Sequence, residues 1–309
     1  MDRSVAVERA QDWRAIAASV AGTGHGRRSL PNQDAVAWRS RGDWLWGAVA
    51  DGAGSAARSQ WGAQRAVETV VTVLGVQVAA AIASGARGDR PDQGSQNPLA
   101  ARLRDGLKTA LALARADLET LARQEKIPLR ELACTTIAIA AGPNLAVAAQ
   151  IGDGAAVVAD LAGQCHALTR PQQGEYANET VFLTGDGAIA AIAYGDFHGP
   201  VAQIALFSDG LQRLALELPS GDPFVPFFAP LFRFVQQSED PAIAQETLTT
   251  FLRSPKVTAR TDDDLTLLLG SLRAGQGGDR PTAENAPPET GPKSPTGPAS
   301  PASRSAKTA

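Results

Sequence analysis

Cysteine is scarce in this chain: Cys134 and Cys165 are the only two among 309 residues, and neither lies in a CxxC spacing. That excludes a disulfide framework and a thiolate zinc site, and it fits a reducing compartment. Histidine is almost as sparse, with His25, His166 and His198 scattered along the chain. For each, a surface or hydrogen-bonded role is expected before metal ligation. Charge of one sign is also missing. A formal net charge of -3 gives no electrostatic reason to expect a nucleic-acid partner. Long hydrophobic runs are absent as well: the longest, Val70 to Ala83, carries Gly75 and Gln77 and reads as too short to span a bilayer, so no membrane partner is expected. The N-terminus "MDRSVAVERAQDW" is charged and lacks the apolar centre of a signal peptide. The expectation is a cytoplasmic protein.

What the chain does have is enough apolar residue, 44%, to bury a sizeable core. Composition splits it into a globular domain over residues 1–273 and a tail over 274–309, rich in Pro, Gly and Ser, that is expected to be disordered. Within the domain, Ser55 to Ala83 reads as a helix with Trp61, Ala66, Val70 and Leu74 along one face. "SGARGDRPDQGSQNP" breaks it, and a second helix is expected from about Leu99 to Gln124. The runs "CTTIAIAAG", "LAVAAQIG", "GAAVVADL", "VAQIALFS" and "LTLLLGSL" read as strands, while "VPFFAPLFRFVQQ" and "PAIAQETLTTFLR" read as helices. Hairpin-length connections, such as Gly142 to Asn144, favour antiparallel sheets with helices packed outside them.

Acids mark the strand ends. Asp51 closes "WGAVA", Asp153 closes "AVAAQIG" and Asp209 closes "IALFS"; each is followed by glycine. Asp34 opens "AVAW", and Asp262, Asp263 and Asp264 open "LTLLL". Strands of one sheet end along a common edge, so these carboxylates can converge. Any one Asp-Gly is an ordinary turn signal. Gathered together, the acids need a compensating cation, because their mutual repulsion raises their pKa values. Oxygen ligands without Cys or paired His select Mg²⁺, Mn²⁺ or Ca²⁺.

The motifs "NQDA" (32–35), "VADGAGS" (49–55), "CTTIAIA" (134–140), "IGDGAAVV" (151–158), "LFSDGL" (206–211) and "DDDLTLL" (262–268) stand in a telling order. Together they resemble the successive motifs of the PPM-type (type 2C) metal-dependent protein serine/threonine phosphatases. "GEYANET" (174–180) is similar to a stretch of a bacterial subgroup. The resemblance spans about Gly22 to Leu272. It implies an α+β fold, a four-layer α-β-β-α sandwich of two mainly antiparallel sheets flanked by helices. It also implies hydrolysis of phosphoserine and phosphothreonine in proteins by a hydroxide bridging two Mn²⁺ or Mg²⁺ ions, with a third, weaker ion site.

Matched residue by residue, the resemblance makes Asp51 the carboxylate shared by both ions and Gly52 the carbonyl ligand of one. Asp209 and Asp263 become the further metal carboxylates, Asp34 the acid that holds a metal-associated water, and Asp153 the third-site ligand. An Arg upstream normally grips phosphate; Arg27, Arg28 and His25 are the candidates, with Arg28 carried as the catalytic residue. The implied partners are a phosphoprotein substrate and a cognate serine/threonine kinase.

The chain departs from the family pattern at several points. Gln33 stands where many members have Glu, Ala53 where some eukaryotic members have a histidine, and "GDGA" where "GDSR" is usual. Gln33 and the lost Arg of "GDSR" motivate a second reading, a weakly active or inactive phosphatase-fold module that binds phosphoproteins or regulates a kinase. The retained Asp51, Asp209 and Asp263 argue against it. A third reading is a phosphatase of small esters. Glu175 and Asn178 are placed on a flap or in a turn. "RGD" at 87–89 and the PxxP matches of the tail are taken as chance.

Overall fold

A computed structural model describes residues 12–85, 97–172 and 180–273. The expected tail, most of the expected loop between the two long helices, the RGD triplet, Glu175 and Asn178 lie outside the described residues. In chain order the strands are β1 (Asp12–Val20), β2 (Ala35–Arg41), β3 (Trp44–Ala50), β4 (Thr136–Gly142), β5 (Leu145–Ile151) and β6 (Ala155–Asp160). They continue with β7 (Cys165–Ala167), β8 (Ala193–His198), β9 (Val201–Phe207), β10 (Leu216–Glu217), β11 (Asp222–Pro223) and β12 (Leu265–Arg273). The helices are α1 (Thr23–Arg28), α2 (Ser59–Gly85), α3 (Pro98–Glu125), α4 (Gln212–Ala215), α5 (Val225–Gln237), α6 (Pro241–Leu252) and α7 (Pro255–Thr258).

Two five-stranded antiparallel sheets form the centre, ordered β1-β12-β9-β6-β7 and β2-β3-β4-β5-β8. Side chains alternate across each strand, so the inner strands serve two cores. In β4, Ile137 and Ile139 join Leu206 and Leu268 between the sheets. Ala138 and Ala140 of the same strand meet α2 and α3 through Val70, Leu74 and Leu107. On the other sheet Phe207 meets Phe228 and Phe232 of α5. This is the α-β-β-α sandwich that the resemblance implies. Both faces of each sheet are covered, which is why these antiparallel strands read as near-continuous apolar runs.

The departures from expectation have local causes. α2 begins at Ser59 rather than Ser55, because Glu131 captures the preceding loop: its carbonyl accepts from Arg58 N at 3.1 Å and its Oε2 from Ala57 N at 2.9 Å. Trp61 is not on the buried face; it is 43% exposed, with the Arg58 guanidinium 4.8 Å from its ring centroid. The apolar run read as too short for a bilayer belongs to a helix long and apolar enough to cross one by length and composition. Its Val67, Val70, Leu74 and Val78 are instead buried against α3 and the sheet. Strand β1 was not expected, since Arg14 and Ser19 interrupt its apolar run, yet it pairs along its whole length with β12.

The turn that precedes the site is set by one close approach. A Cβ at Gly62 of α2 would lie 2.0 Å from the Leu132 carbonyl oxygen. Only glycine lets the first turns of α2 rest on the Leu129–Leu132 turn, which leads into the segment bracketing Asp51. Gly62→Ala is therefore expected to cost about 2–3 kcal/mol, as overpacking against backbone does. Gly26→Ala, with nothing within 4 Å of its Cβ position, should stay within about 0.5 kcal/mol. Denaturant titration of the two variants reads the difference.

Candidate active site

Each Asp-Gly step turns out to be a carboxylate followed by a point where another loop's backbone comes too close for a side chain. After β3 the chain does not turn away. Asp51 O accepts from Thr135 N at 2.8 Å, Gly52 bridges Cys134, and Ala53 N donates to Ala133 O at 2.9 Å. A Cβ on Gly52 would sit 2.6 Å from the Gln33 carbonyl oxygen, so glycine here lets the Gln33–Asp34 loop close over Asp51. At Gly154 the obstacle is the Phe207 carbonyl at 2.5 Å, which ties the start of β6 to the end of β9. At Gly210 it is the Asp264 carbonyl at 2.1 Å, and at Gly22 the Asp263 carbonyl carbon at 2.2 Å.

These approaches bring the acids together. Asp51, Asp153 and Asp209 each offer a carboxylate oxygen, and the three atoms lie within 4.8 Å of one another. Asp34 is buried beside them, its Oδ2 accepting from Ser208 Oγ at 2.7 Å. Asp263 is exposed at the rim, and its charge acts on Asp51, Asp153 and Asp209. Burial, the proximity of like charge and shared hydrogen bonds set the titration. Desolvation is the largest cause in every case. It pushes Asp34 up to about 7 and Asp209 up to about 6. Asp51 goes well above the ordinary carboxylate range, with Asp34 and then Asp209 as the next causes. Asp153 is raised too, with Thr180 Oγ1 donating to its Oδ2 at 2.9 Å as a partial offset.

The cluster fits divalent cations on its own chemistry. Oδ1 of Asp34 and Oδ1 of Asp209 are buried with no hydrogen-bond partner. No Cys or His belongs to the group of acids, so the donors are hard oxygens suited to Mg²⁺ or Mn²⁺. Without cations the acids can relieve their repulsion only by holding protons.

Sequence reasoning missed the residue that organises this edge, Asp264. It is 3% exposed and accepts from Gly22 N at 2.7 Å and Gln33 N at 2.6 Å, and His25 Nδ1 lies 2.9 Å from both its oxygens. Its own N–H donates to Asp263 Oδ1 at 2.9 Å. Three consecutive aspartates thus have three environments: Asp262 pairs with Arg27, Asp263 faces the cluster, and Asp264 is a buried clamp. Gln33, read as a lost outer carboxylate, is itself buried with Oε1 unpaired. Of the phosphate candidates, His25 is committed to Asp264 and Arg27 to Asp262, while Arg28 makes one bond, from Nε to Gly24 O at 3.2 Å. Among the described residues none of the three contacts the acidic cluster.

Comparison with known proteins points one way. The sequence pattern of the family described as Protein phosphatase 2C matches residues 21–253. Serine/threonine-protein phosphatase 3 of Escherichia coli (strain K12) is 36% identical over 265 residues, covering 83% of this chain and 97% of that protein. The S. agalactiae serine/threonine phosphatase matches in structure with a TM-score of 0.53 at 17% identity, over 84% of this chain and 100% of that one. Serine/threonine phosphatase Stp1 from Staphylococcus aureus gives 0.52 at 13% identity, over 84% and 94%. At these identities the structural likeness bears on the fold.

The raised acids fix the sign of a pH effect. Folded, Asp34 and Asp209 keep protons up to about 7 and about 6, against an ordinary value of 3.8. Between those limits the folded state binds more protons than the unfolded state, so stability without divalent ions falls as pH rises. Thermal unfolding in EDTA should show Tm decreasing from pH 5 to pH 8. Saturating Mn²⁺ at pH 8 should restore it, since a ligand of the folded state stabilises it.

Proposed function

We propose, for a chain that belongs to the protein phosphatase 2C family and is a protein serine/threonine phosphatase, that its acidic edge hydrolyses phosphoserine and phosphothreonine with two Mn²⁺ or Mg²⁺ ions. The observation that carries this reading is the convergence of Asp51, Asp153 and Asp209 with unpaired buried oxygens on Asp34 and Asp209. Asp51 would be the shared ligand: it is buried at the centre of the group, with the charges of Asp34, Asp209 and Asp263 all acting on it. Asp209, Asp263 and the Gly52 carbonyl would complete the pair, and Asp153 would hold a third, weaker ion. Such ions supply a water of lowered pKa and neutralise charge on the phosphoryl oxygens.

The chain's own groups do the rest. Ser208 fixes Oδ2 of Asp34, leaving Oδ1 free to take a proton from the attacking water. Arg28, least committed of the three cationic candidates, swings to hold the phosphate. Ser208, the hydroxyl on Asp34, is buried and already bonded to both Asp34 and Thr266 N, so water is the proposed nucleophile and displaces the alkoxide directly, without a covalent phosphoenzyme. The substrate is a phosphoprotein, and a serine/threonine kinase that installs the phosphate is the proposed counterpart. A cytoplasmic location is part of the same proposal, supported by two free thiols, one of them buried.

Turnover of a phosphothreonine peptide should vanish in EDTA and return with Mn²⁺ or Mg²⁺. Asp51→Asn should weaken both tight ions in a calorimetric Mn²⁺ titration and nearly abolish turnover. Asp153→Asn should keep the tight pair, and its effect should fall on kcat and on the metal concentration needed for full rate. Equal loss of tight binding in both variants would place Asp153 in the core pair.

A further inference from the structure

A groove of about 910 Å³ starts at Asp34 and runs away from the acids along β2 as far as Ser40. β2 is the outermost strand of its sheet, and β3 is its only partner among the described residues. Ala35 and Ala37 pack toward α2 while Val36 and Trp38 pack toward the core between the sheets, yet all four line the groove. Only a groove along the open side of a strand is lined from both faces.

The hydrogen-bonding phase of that open side can be read. Arg39 Nη1 donates to the Trp38 carbonyl at 2.8 Å, so Trp38 O is available from outside the β2–β3 ladder. In an antiparallel pair, the N–H and C=O of one residue point the same way and alternate along the strand. Val36, Trp38 and Ser40 therefore present their backbone groups to the groove. Its walls add Gln60, Gln64 and Glu68 from α2 and Gln245 from α6, with Gln60 Oε1 buried and unpaired.

We infer that this groove receives the substrate's backbone: an extended arm of about five residues, flanking the phosphorylated residue, adds to β2 as a further strand. The inference rests on the phosphatase reading of the acidic edge. The occupant is a peptide for three reasons. The groove is continuous with the acid Asp34, it far exceeds what a phosphate ion needs, and the open side of β2 offers it backbone groups at Val36, Trp38 and Ser40. At about 3.3 Å per residue, Ala35 to Ser40 offers room for such an arm. Strand addition draws affinity from main-chain bonds and specificity from pockets. The lining mixes small side chains and amides with Trp38, Arg39 and Glu68, so main-chain bonds carry the affinity and these three side chains bias the sequence of the arm.

Two measurements on the full chain test this. With Mg²⁺ present, a nine-residue peptide bearing a non-hydrolysable phosphonate analogue of phosphothreonine should slow amide exchange at Val36, Trp38 and Ser40, measured by NMR. Ala35, Ala37 and Arg39, already in the ladder, should change little. In kinetics, kcat/KM should rise at least tenfold when the arm is lengthened from one residue to five on one side. It should fall back when alternate amides of that arm are N-methylated. Equal kcat/KM for short, long and N-methylated peptides, with no change in exchange, overturns the groove while leaving the phosphatase reading in place. Failure to hydrolyse either the peptides or p-nitrophenyl phosphate with Mn²⁺ or Mg²⁺ overturns the phosphatase reading and the groove with it. Slowed exchange at the three residues that depends on protein concentration without peptide assigns the edge to a second copy, and likewise overturns the inference.

Discussion

Negative charge gathered where water is excluded is the constraint on which the rest of this molecule depends. Asp34, Asp51 and Asp209 are each pushed toward their protonated forms, first by burial and then by neighbouring charge. A fold that minimised its own free energy would disperse them. Here the two sheets end along one edge, and the chain closes its loops so tightly that Gly22, Gly52, Gly154 and Gly210 can carry no side chain. The arrangement makes chemical sense when divalent cations complete it, and those same cations are what phosphoester hydrolysis requires.

Holding repelling groups together needs attachments that do not depend on the ions, and Asp264 is the chief of these. It collects two backbone N–H groups and His25 from the segment following β1, while its own backbone leads into β12. Hydrogen bonds to a charged group contribute about 1.5–3 kcal/mol each, enough to offset part of the repulsion a few ångströms away. The β1–β12 ladder extends the same tie over nine paired positions. The acids at the two ends of the domain thus share one rigid edge.

The sequence made the two-sheet fold legible because both sheets are covered on both faces. Strands such as Trp44–Ala50 and Val201–Phe207 are apolar almost throughout, and each acid or glycine at their ends stands out against that background. Edge elements were harder to see. β1 carries Arg14 and Ser19, and β8 carries Asp196 and His198, because a strand at the rim of a sheet need not be apolar along its length. Trp61 misled by its type, since a large aromatic outside the core can still find a partner in Arg58. At the site, the strand-end aspartates were readable by position, but a run of three aspartates does not reveal which one is buried. His25 looked like a phosphate ligand for the same reason: its partner is distant in sequence and only the fold supplies it.

Protons and metal ions compete for the same oxygens in this account, and that competition can be counted. Calorimetric titration of Mn²⁺ into the full chain, repeated in buffers of different ionisation enthalpy, gives the number of protons released per ion pair bound. At pH 6 the raised acids still hold protons, so binding should release at least about one proton, and the number should be smaller at pH 8, where Asp34 and Asp209 have lost theirs. Tight binding with no proton release at pH 6 would mean that the carboxylates are already ionised without the ions. That result would contradict the central claim that burial, with neighbouring charge, keeps these carboxylates protonated until cations take the protons' place.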